Sequence, residues 1–302
     1  MNLTVNPLGF NNRKYQNSPQ HKPLGCVVKS DFQYTPKISL AQKAYAMPLI
    51  SFGSFNPLTL EAKLSRFVAK YSAGDCPVIL SVRKGFIGDL VEKIVENPDK
   101  HLIIGLAGES ASGKTTIVQQ SRQVLGEQIS TIEGDDFYHD TSETPFAELL
   151  ASGYSFDVPG AFDINKLSEV LKRAHLANQV YLPSYDKVTC KSKPCATLLP
   201  VKQVTLLDFI FALQPGIKGL LDIGIYVECP KDVIETRWFE RAASRGKTPE
   251  VAQELYRDVQ EKAQKYCNPT KANADVVLNG NTDIGTWKKF LSELGGLFQD
   301  LS

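Results

Sequence analysis

Residues 101–116, His-Leu-Ile-Ile-Gly-Leu-Ala-Gly-Glu-Ser-Ala-Ser-Gly-Lys-Thr-Thr, constrain the fold more than any other stretch. From Gly108 the spacing is G-x-x-x-x-G-K-T, closing on Gly113, Lys114 and Thr115. Glycines let the backbone curl until several amide N–H groups point into one concavity, and the helix behind adds its positive end. The expected cradle for a polyphosphate comprises Gly108, Ser110, Ala111, Ser112, Gly113, Lys114, Thr115 and Thr116. Lys114 is placed to neutralise β/γ phosphate oxygens, and the Thr115 hydroxyl to hold Mg²⁺. His101–Ala107 is an apolar run that reads as the strand feeding the loop, and Thr116–Leu125 reads as a helix stopping before Gly126. Both flanks favour a nucleoside triphosphate loop over a bare glycine turn.

Beyond residue 101 strand and helix patterns alternate. Strands are expected at 101–107, 129–133, 180–182, 202–207, 223–228 and 275–278. Helices are expected near 115–125, 163–177, 231–243, 249–266 and 283–298. Strands apolar on both faces, separated by helices, predict an α/β domain with a largely parallel sheet covered by helices. In such sheets ligands sit outside the carboxyl ends of the strands.

Upstream, residues 1–58 are rich in Asn, Pro, Gln, Ser and Lys without sustained period, and read as a disordered or loosely packed tail. Leu49, Ile50, Phe52 and Phe55 form an apolar patch within it. Residues 59–100 read as a helical lead-in, with helices over Leu60–Tyr71 and Phe86–Val95 and a short strand over Val78–Val82; 101–302 is the main domain. Net charge is +1 and no Lys/Arg run exceeds three, which argues against nucleic acid as partner. The six cysteines and four histidines are scattered without metal-ligand spacing. No stretch approaches a membrane span, and the N-terminus lacks a signal core, so the expectation is a cytoplasmic protein without a membrane partner.

After the strand at 129–133 comes Gly134-Asp135-Asp136-Phe137-Tyr138. A carboxylate at a strand end beside a phosphate loop can take the proton of an acceptor hydroxyl; a turn aspartate or helix cap is the competing reading. In Tyr154-Ser155-Phe156-Asp157-Val158-Pro159-Gly160-Ala161-Phe162-Asp163, Asp163 suits a helix N-cap. Asp157 has no obvious structural duty and can accept hydrogen bonds from substrate hydroxyls.

In order and spacing, Gly-Glu-Ser-Ala-Ser-Gly-Lys-Thr-Thr, Asp-Asp-Phe-Tyr and Phe-Asp-Val-Pro-Gly-Ala-Phe-Asp resemble the uridine kinase/phosphoribulokinase family of P-loop kinases. The likeness runs on through Leu182-Pro183-Ser184-Tyr185-Asp186, Asp208, Arg237 to Gly246, and Asn268-Pro269-Thr270-Lys271. It implies a P-loop NTPase-type parallel sheet flanked by helices, with a lid, here carrying an N-terminal extension. It further implies ATP and Mg²⁺ as cofactors, a small-molecule acceptor and a homo-oligomer as a possible state. Asp135 matches the family's catalytic base, and Asp157 the carboxylate that holds ribose hydroxyls. Tyr185 matches an acceptor-site tyrosine. Tyr138, Phe156, Lys187 and Arg237 are further candidates for the substrate side. Asp208 falls where the family has a glutamate near Mg²⁺. Arg237, Arg241 and Arg245 fall on the arginine-bearing lid, where Arg241 and Arg245 with Lys114 would spread charge on the transferring group.

The chain also departs from that pattern. The nucleoside kinases carry an aromatic two residues after the Tyr185 position and a histidine five after it; here stand Lys187 and Cys190. Stacking on a base and a ring-nitrogen hydrogen bond are both missing, while Lys187, Lys191 and Lys193 crowd the segment. An acceptor carrying phosphate or carboxylate is one explanation, and a solvated lysine hairpin the other. The expected function is a small-molecule kinase. A nucleotide-binding regulatory protein without phosphotransfer, and an NTPase acting on protein or nucleic acid, are the alternatives.

Overall fold

The computed structural model describes residues 56–299, so the apolar patch at Leu49, Ile50, Phe52 and Phe55 lies outside the described residues. Helix α1 (Pro57–Tyr71) starts on Asn56, whose side chain accepts the Leu58 amide at 3.0 Å, with Pro57 in the first position where no N–H is needed. Strand β1 (Ile79–Val82) and helix α2 (Phe86–Glu96) follow.

The central succession is β2 (Leu102–Ala107), α3 (Lys114–Leu125), β3 (Ile129–Glu133), α4 (Phe146–Ala151) and α5 (Ile164–Ala174). Next come β4 (Gln179–Asp186), β5 (Lys191–Pro200), β6 (Val204–Asp208), α6 (Pro215–Lys218) and β7 (Ile223–Glu228). The chain continues through α7 (Lys231–Ser244), α8 (Pro249–Lys262), β8 (Val276–Asn279) and α9 (Ile284–Gln299). Asp163 caps α5, accepting the Lys166 amide at 3.0 Å.

The sheet has six strands in the order β1-β8-β7-β2-β6-β3. β8, β7, β2, β6 and β3 run parallel, and β1 joins β8 antiparallel at one edge. β2 lies at the centre and all six of its residues are buried. Its two faces feed different cores by the two-residue period of a strand. Ile103 and Ala107 pack with Ile132, Phe137, Phe162, Leu171 and Leu207. Leu102, Ile104 and Leu106 pack with Ile117, Val118, Leu206 and Trp287. Phe67 and Tyr71 of α1 meet Phe290 of α9 at ring distances of 4.9 Å, so the lead-in shares this second core.

One expected sheet strand is elsewhere. Residues 180–182 belong to β4, which pairs antiparallel with β5 in a separate two-stranded hairpin. β5 gives no sequence signal because its residues are mostly exposed and its prolines and lysines break any alternation. The helix expected over 249–266 is regular only to Lys262; Ala263–Cys267 forms a wider π turn that buries Ala263 and Cys267. Among the described residues no helix is long and apolar enough to cross a membrane.

At the amino ends of the strands, Asp275 ties the sheet together. Its carboxylate, 6% exposed, accepts from Arg83 Nε at 2.9 Å, Lys218 Nζ at 2.7 Å and the Gly224 amide at 2.8 Å. Burial alone would raise its pKa, but the donors outweigh burial and hold it below the usual carboxylate value. Asp275→Ala leaves a partly buried ammonium and a buried amide unpaired, and should cost about 3–5 kcal/mol in urea unfolding. Arg83→Ala, which removes an exposed partner, should cost less than about 1 kcal/mol.

Candidate active site

The phosphate loop begins where β2 ends. Gly108 has φ 142° and Gly113 φ 110°, and the intervening Ala111 sits at φ 66°. A Cβ on Gly108 would lie 2.5 Å from the Val227 carbonyl oxygen, and one on Gly113 2.9 Å from that of Gly280. Glycine is therefore required twice, by conformation and by closeness of the neighbouring strands. Lys114 is buried, its ammonium donating to the Gly108 and Glu109 carbonyls at 2.8 and 2.9 Å. The Ser112 hydroxyl is buried with no partner. An orphaned hydroxyl in a cradle of amides fits a polyphosphate ligand. Ser110 is half-buried in the loop, and Thr115 and Thr116 stand exposed at the start of α3.

A divalent cation also fits. Thr115 Oγ1 donates to Asp208 Oδ2 at 2.8 Å, joining the start of α3 to the end of β6. Burial raises the Asp208 pKa, opposed by Lys114 and the Thr115 hydrogen bond. Two oxygen ligands suit Mg²⁺, which keeps several waters and completes its shell with substrate phosphates.

Across the crevice, the turn at Gly134–Phe137 is stitched to the 158–163 segment. Tyr138 bridges Phe162, the His139 amide donates to Ala161 O at 3.0 Å, and the Asp163 amide to Phe137 O at 2.8 Å. That stitching brings the Asp135 and Asp157 segments together. Tyr138 stacks on Phe162 at 4.0 Å, meets Phe156 edge-on at 5.6 Å and Tyr185 at 5.0 Å, and donates its hydroxyl to Phe156 O at 3.2 Å. The three aromatic residues expected beside the substrate thus form one wall. Asp136 accepts the Tyr185 amide at 3.3 Å, anchoring the β4–β5 hairpin to this turn.

Asp157 is held in an unfavourable place for a charge. Burial, with Asp258 and Asp135 nearby, pushes its pKa up to about 6, against the pull of Arg241 and Lys114. Ser155 Oγ donates to Asp258 Oδ2 at 2.8 Å, linking this loop to α8. Asp135 accepts from Lys187 Nζ at 2.6 Å.

The expected lid segment, Arg237 to Gly246, lies on the second half of α7, which ends before Gly246 (φ 71°) and the start of α8. Its arginines diverge. Arg241 Nη2 donates to Ser110 Oγ at 2.7 Å, and burial with Arg245 nearby lowers its pKa. Arg237 donates to Gly280 O at 2.9 Å and Asn281 Oδ1 at 3.1 Å, on the loop after β8. Arg245 is exposed at the end of α7.

The lysine cluster separates. In the hairpin register Tyr185 faces Ser192, while Asp186 faces Lys191 and Ser184 faces Lys193. The two-residue period puts Lys191 and Lys193 on the face away from Tyr185. Lys191 acts on Asp140 and Lys193 on Asp186, so Lys187 alone of the three meets Asp135. Sequence reasoning missed Asp258, Asp136 and Glu109. The buried Glu109 hangs from the loop toward Gln260 (3.3 Å), and with Ala263 and Cys267 lines a small cavity under the loop. Asp258 carries no signal, since with Lys262 it reads as an ordinary i,i+4 surface pair.

A central strand feeding a glycine cradle, a Thr–Asp oxygen pair beside it and a parallel sheet flanked by helices define a P-loop kinase-type domain. The chain belongs to the Phosphoribulokinase / Uridine kinase family, whose sequence profile matches residues 103–284. A uridine kinase of Borrelia hermsii is 30% identical over 200 residues, covering 64% of this chain and 95% of that protein. A uridine kinase of Oceanobacillus iheyensis is 34% identical over 184 residues, covering 59% and 86%. The solved phosphoribulokinase of Rhodobacter spheroides is similar at 17% identity and a TM-score of 0.45, covering 61% of this chain and 74% of that one.

Because the folded Asp157 holds its proton to higher pH than the unfolded chain does, it lowers stability progressively as pH rises from about 4 to 6 and fully above that. Asp157→Asn should therefore raise the unfolding free energy at pH 8 by up to about 2 kcal/mol, discounted for partial exposure. In urea unfolding the gain should vanish at pH 4.

Proposed function

We propose that this chain is an ATP-dependent kinase that moves the γ-phosphoryl group onto a hydroxyl of a small-molecule acceptor. One observation carries the reading: the cradle and the acceptor carboxylates form a single electrostatic neighbourhood. Lys114 pulls on both Asp208 and Asp157, and Asp135 pushes on both. A loop that only stored nucleotide would need no such carboxylates within reach of its lysine.

In this reading the loop amides and Lys114 hold the phosphates of ATP, with Arg241 tied to the loop through Ser110. Thr115 and Asp208 would hold Mg²⁺, which would supply charge neutralisation for the phosphates. Asp157 accepts a hydrogen bond from an acceptor hydroxyl and fixes its orientation. Asp135 takes the proton of the attacking hydroxyl. The acceptor oxygen then bonds to the γ-phosphorus, the bond from that phosphorus to the bridging oxygen breaks, and ADP leaves with that electron pair. The wall of Tyr138, Phe156 and Tyr185 keeps water off the acceptor.

A regulatory protein that binds nucleotide without transfer is the second reading, favoured by the ion pair that Lys187 places on Asp135. ADP release measured with ATP, Mg²⁺ and a panel of nucleosides, pentose phosphates, pantothenate and glycerate separates the two. Acceptor-dependent release supports the kinase; tight ATP binding with no acceptor-dependent release supports the other. If the kinase reading holds, Asp135→Asn should lower kcat by about 10²–10⁴-fold with little change in KM for ATP. Near-normal turnover would remove Asp135 as the base.

A further inference from the structure

We infer that Lys187 selects acceptors carrying an anionic group, and that this group frees the base by drawing the ammonium off Asp135. The inference rests on the kinase reading and adds a substrate class to it.

The ion pair is built to exchange. Lys187 Nζ lies 2.6 Å from Asp135 Oδ2, with the two side chains 59% and 48% exposed. A pair so open to water is worth little, and another anion can take its place at small cost. The lysine's backbone, by contrast, is fixed. The preceding Asp186 accepts the amides of Val188 and Thr189 at 2.8 and 3.2 Å, and Tyr185 is pinned to Asp136. Lys187 is a long flexible arm on a fixed shoulder.

The surrounding charge makes this arm decisive. Asp135 repels the carboxylates of Asp136, Asp157 and Asp208, so an anion arriving beside it meets negative charge. Lys114 is hydrogen-bonded to the loop carbonyls and Arg241 to Ser110, and both reach Asp157 only through their field. Lys187 is the cation whose present partner is the base itself. While it stays, the ammonium occupies the carboxylate oxygen that would take the acceptor's proton. A phosphate or carboxylate on the acceptor gives the ammonium an alternative partner, and Asp135 is left to accept the hydroxyl proton. A neutral alcohol offers no such exchange.

The test uses the full chain with matched pairs, D-glycerate against glycerol and ribose 5-phosphate against ribose, with uridine as a further neutral probe. Wild type should prefer the anionic member of a pair in kcat/KM. Lys187→Gln should raise that member's KM about ten-fold or more, the factor a charge-assisted hydrogen bond carries, while Lys187→Arg keeps the preference. A second readout needs no turnover. With the loop filled by Mg²⁺ and a non-hydrolysable ATP analogue, sulfate should raise the Tm of wild type but not of Lys187→Gln. Equal preference within pairs, or a preference untouched by Lys187→Gln, overturns the inference while the kinase stands. If no acceptor turns over, the kinase reading fails, and an equal sulfate shift in both proteins removes Lys187 as an anion site independently.

Discussion

The chain leaves β2 in the middle of its sheet, with β6 on one side and β7 on the other, and must start α3 within six residues. The active site depends on how that turn is confined. Val227 at the end of β7 and Gly280 just after β8 press their carbonyls against Gly108 and Gly113. The cradle is therefore shaped by neighbouring strands as well as by its own glycines. Donors held this way need little rearrangement when charge arrives, which is how electrostatic catalysis is made inexpensive at the moment of reaction.

The same rigidity lets the crevice hold charges that a folding chain would otherwise avoid. Burial raises the pKa values of Asp136, Asp157 and Asp208, and lowers that of Arg241. Each prefers its neutral form more than it would in water, so each weakens the fold at neutral pH. Asp275 at the other end of the strands is the contrast. It is buried too, but three donors hold its charge and it strengthens the sheet. One end of the sheet is organised for cohesion and the other for a ligand.

Much of this was readable from residues because it rests on burial. β2, β6 and β7 are apolar on both faces and show as short hydrophobic runs; Asp163 stands where a cap must. The loop glycines announce a backbone that other residues cannot follow. What escaped depends on pairing instead. β5 is held by cross-strand hydrogen bonds while its side chains face water, so no periodicity marks it. Which lysines face Tyr185 follows from a register that shifts between Leu182 and Ser184, and a one-residue slip reverses every face. Arg237, Arg241 and Arg245 repeat every four residues along one helix, and spacing alone gives no reason for Arg241 to be the one on Ser110. Asp258 acquires its role through Ser155, a residue 103 positions away.

The hairpin has a further consequence. Its two strands add no rung to the central sheet, and Val180, Leu182 and Leu199 root it in the first core, while Tyr185 and the turn residue Lys187 meet Asp136 and Asp135. Substitutions at its exposed turn, Lys187 to Thr189, disturb few buried contacts, so the chemistry there can drift while the scaffold beneath stays intact. A change of diet at that tip would not require the chain to learn to fold again.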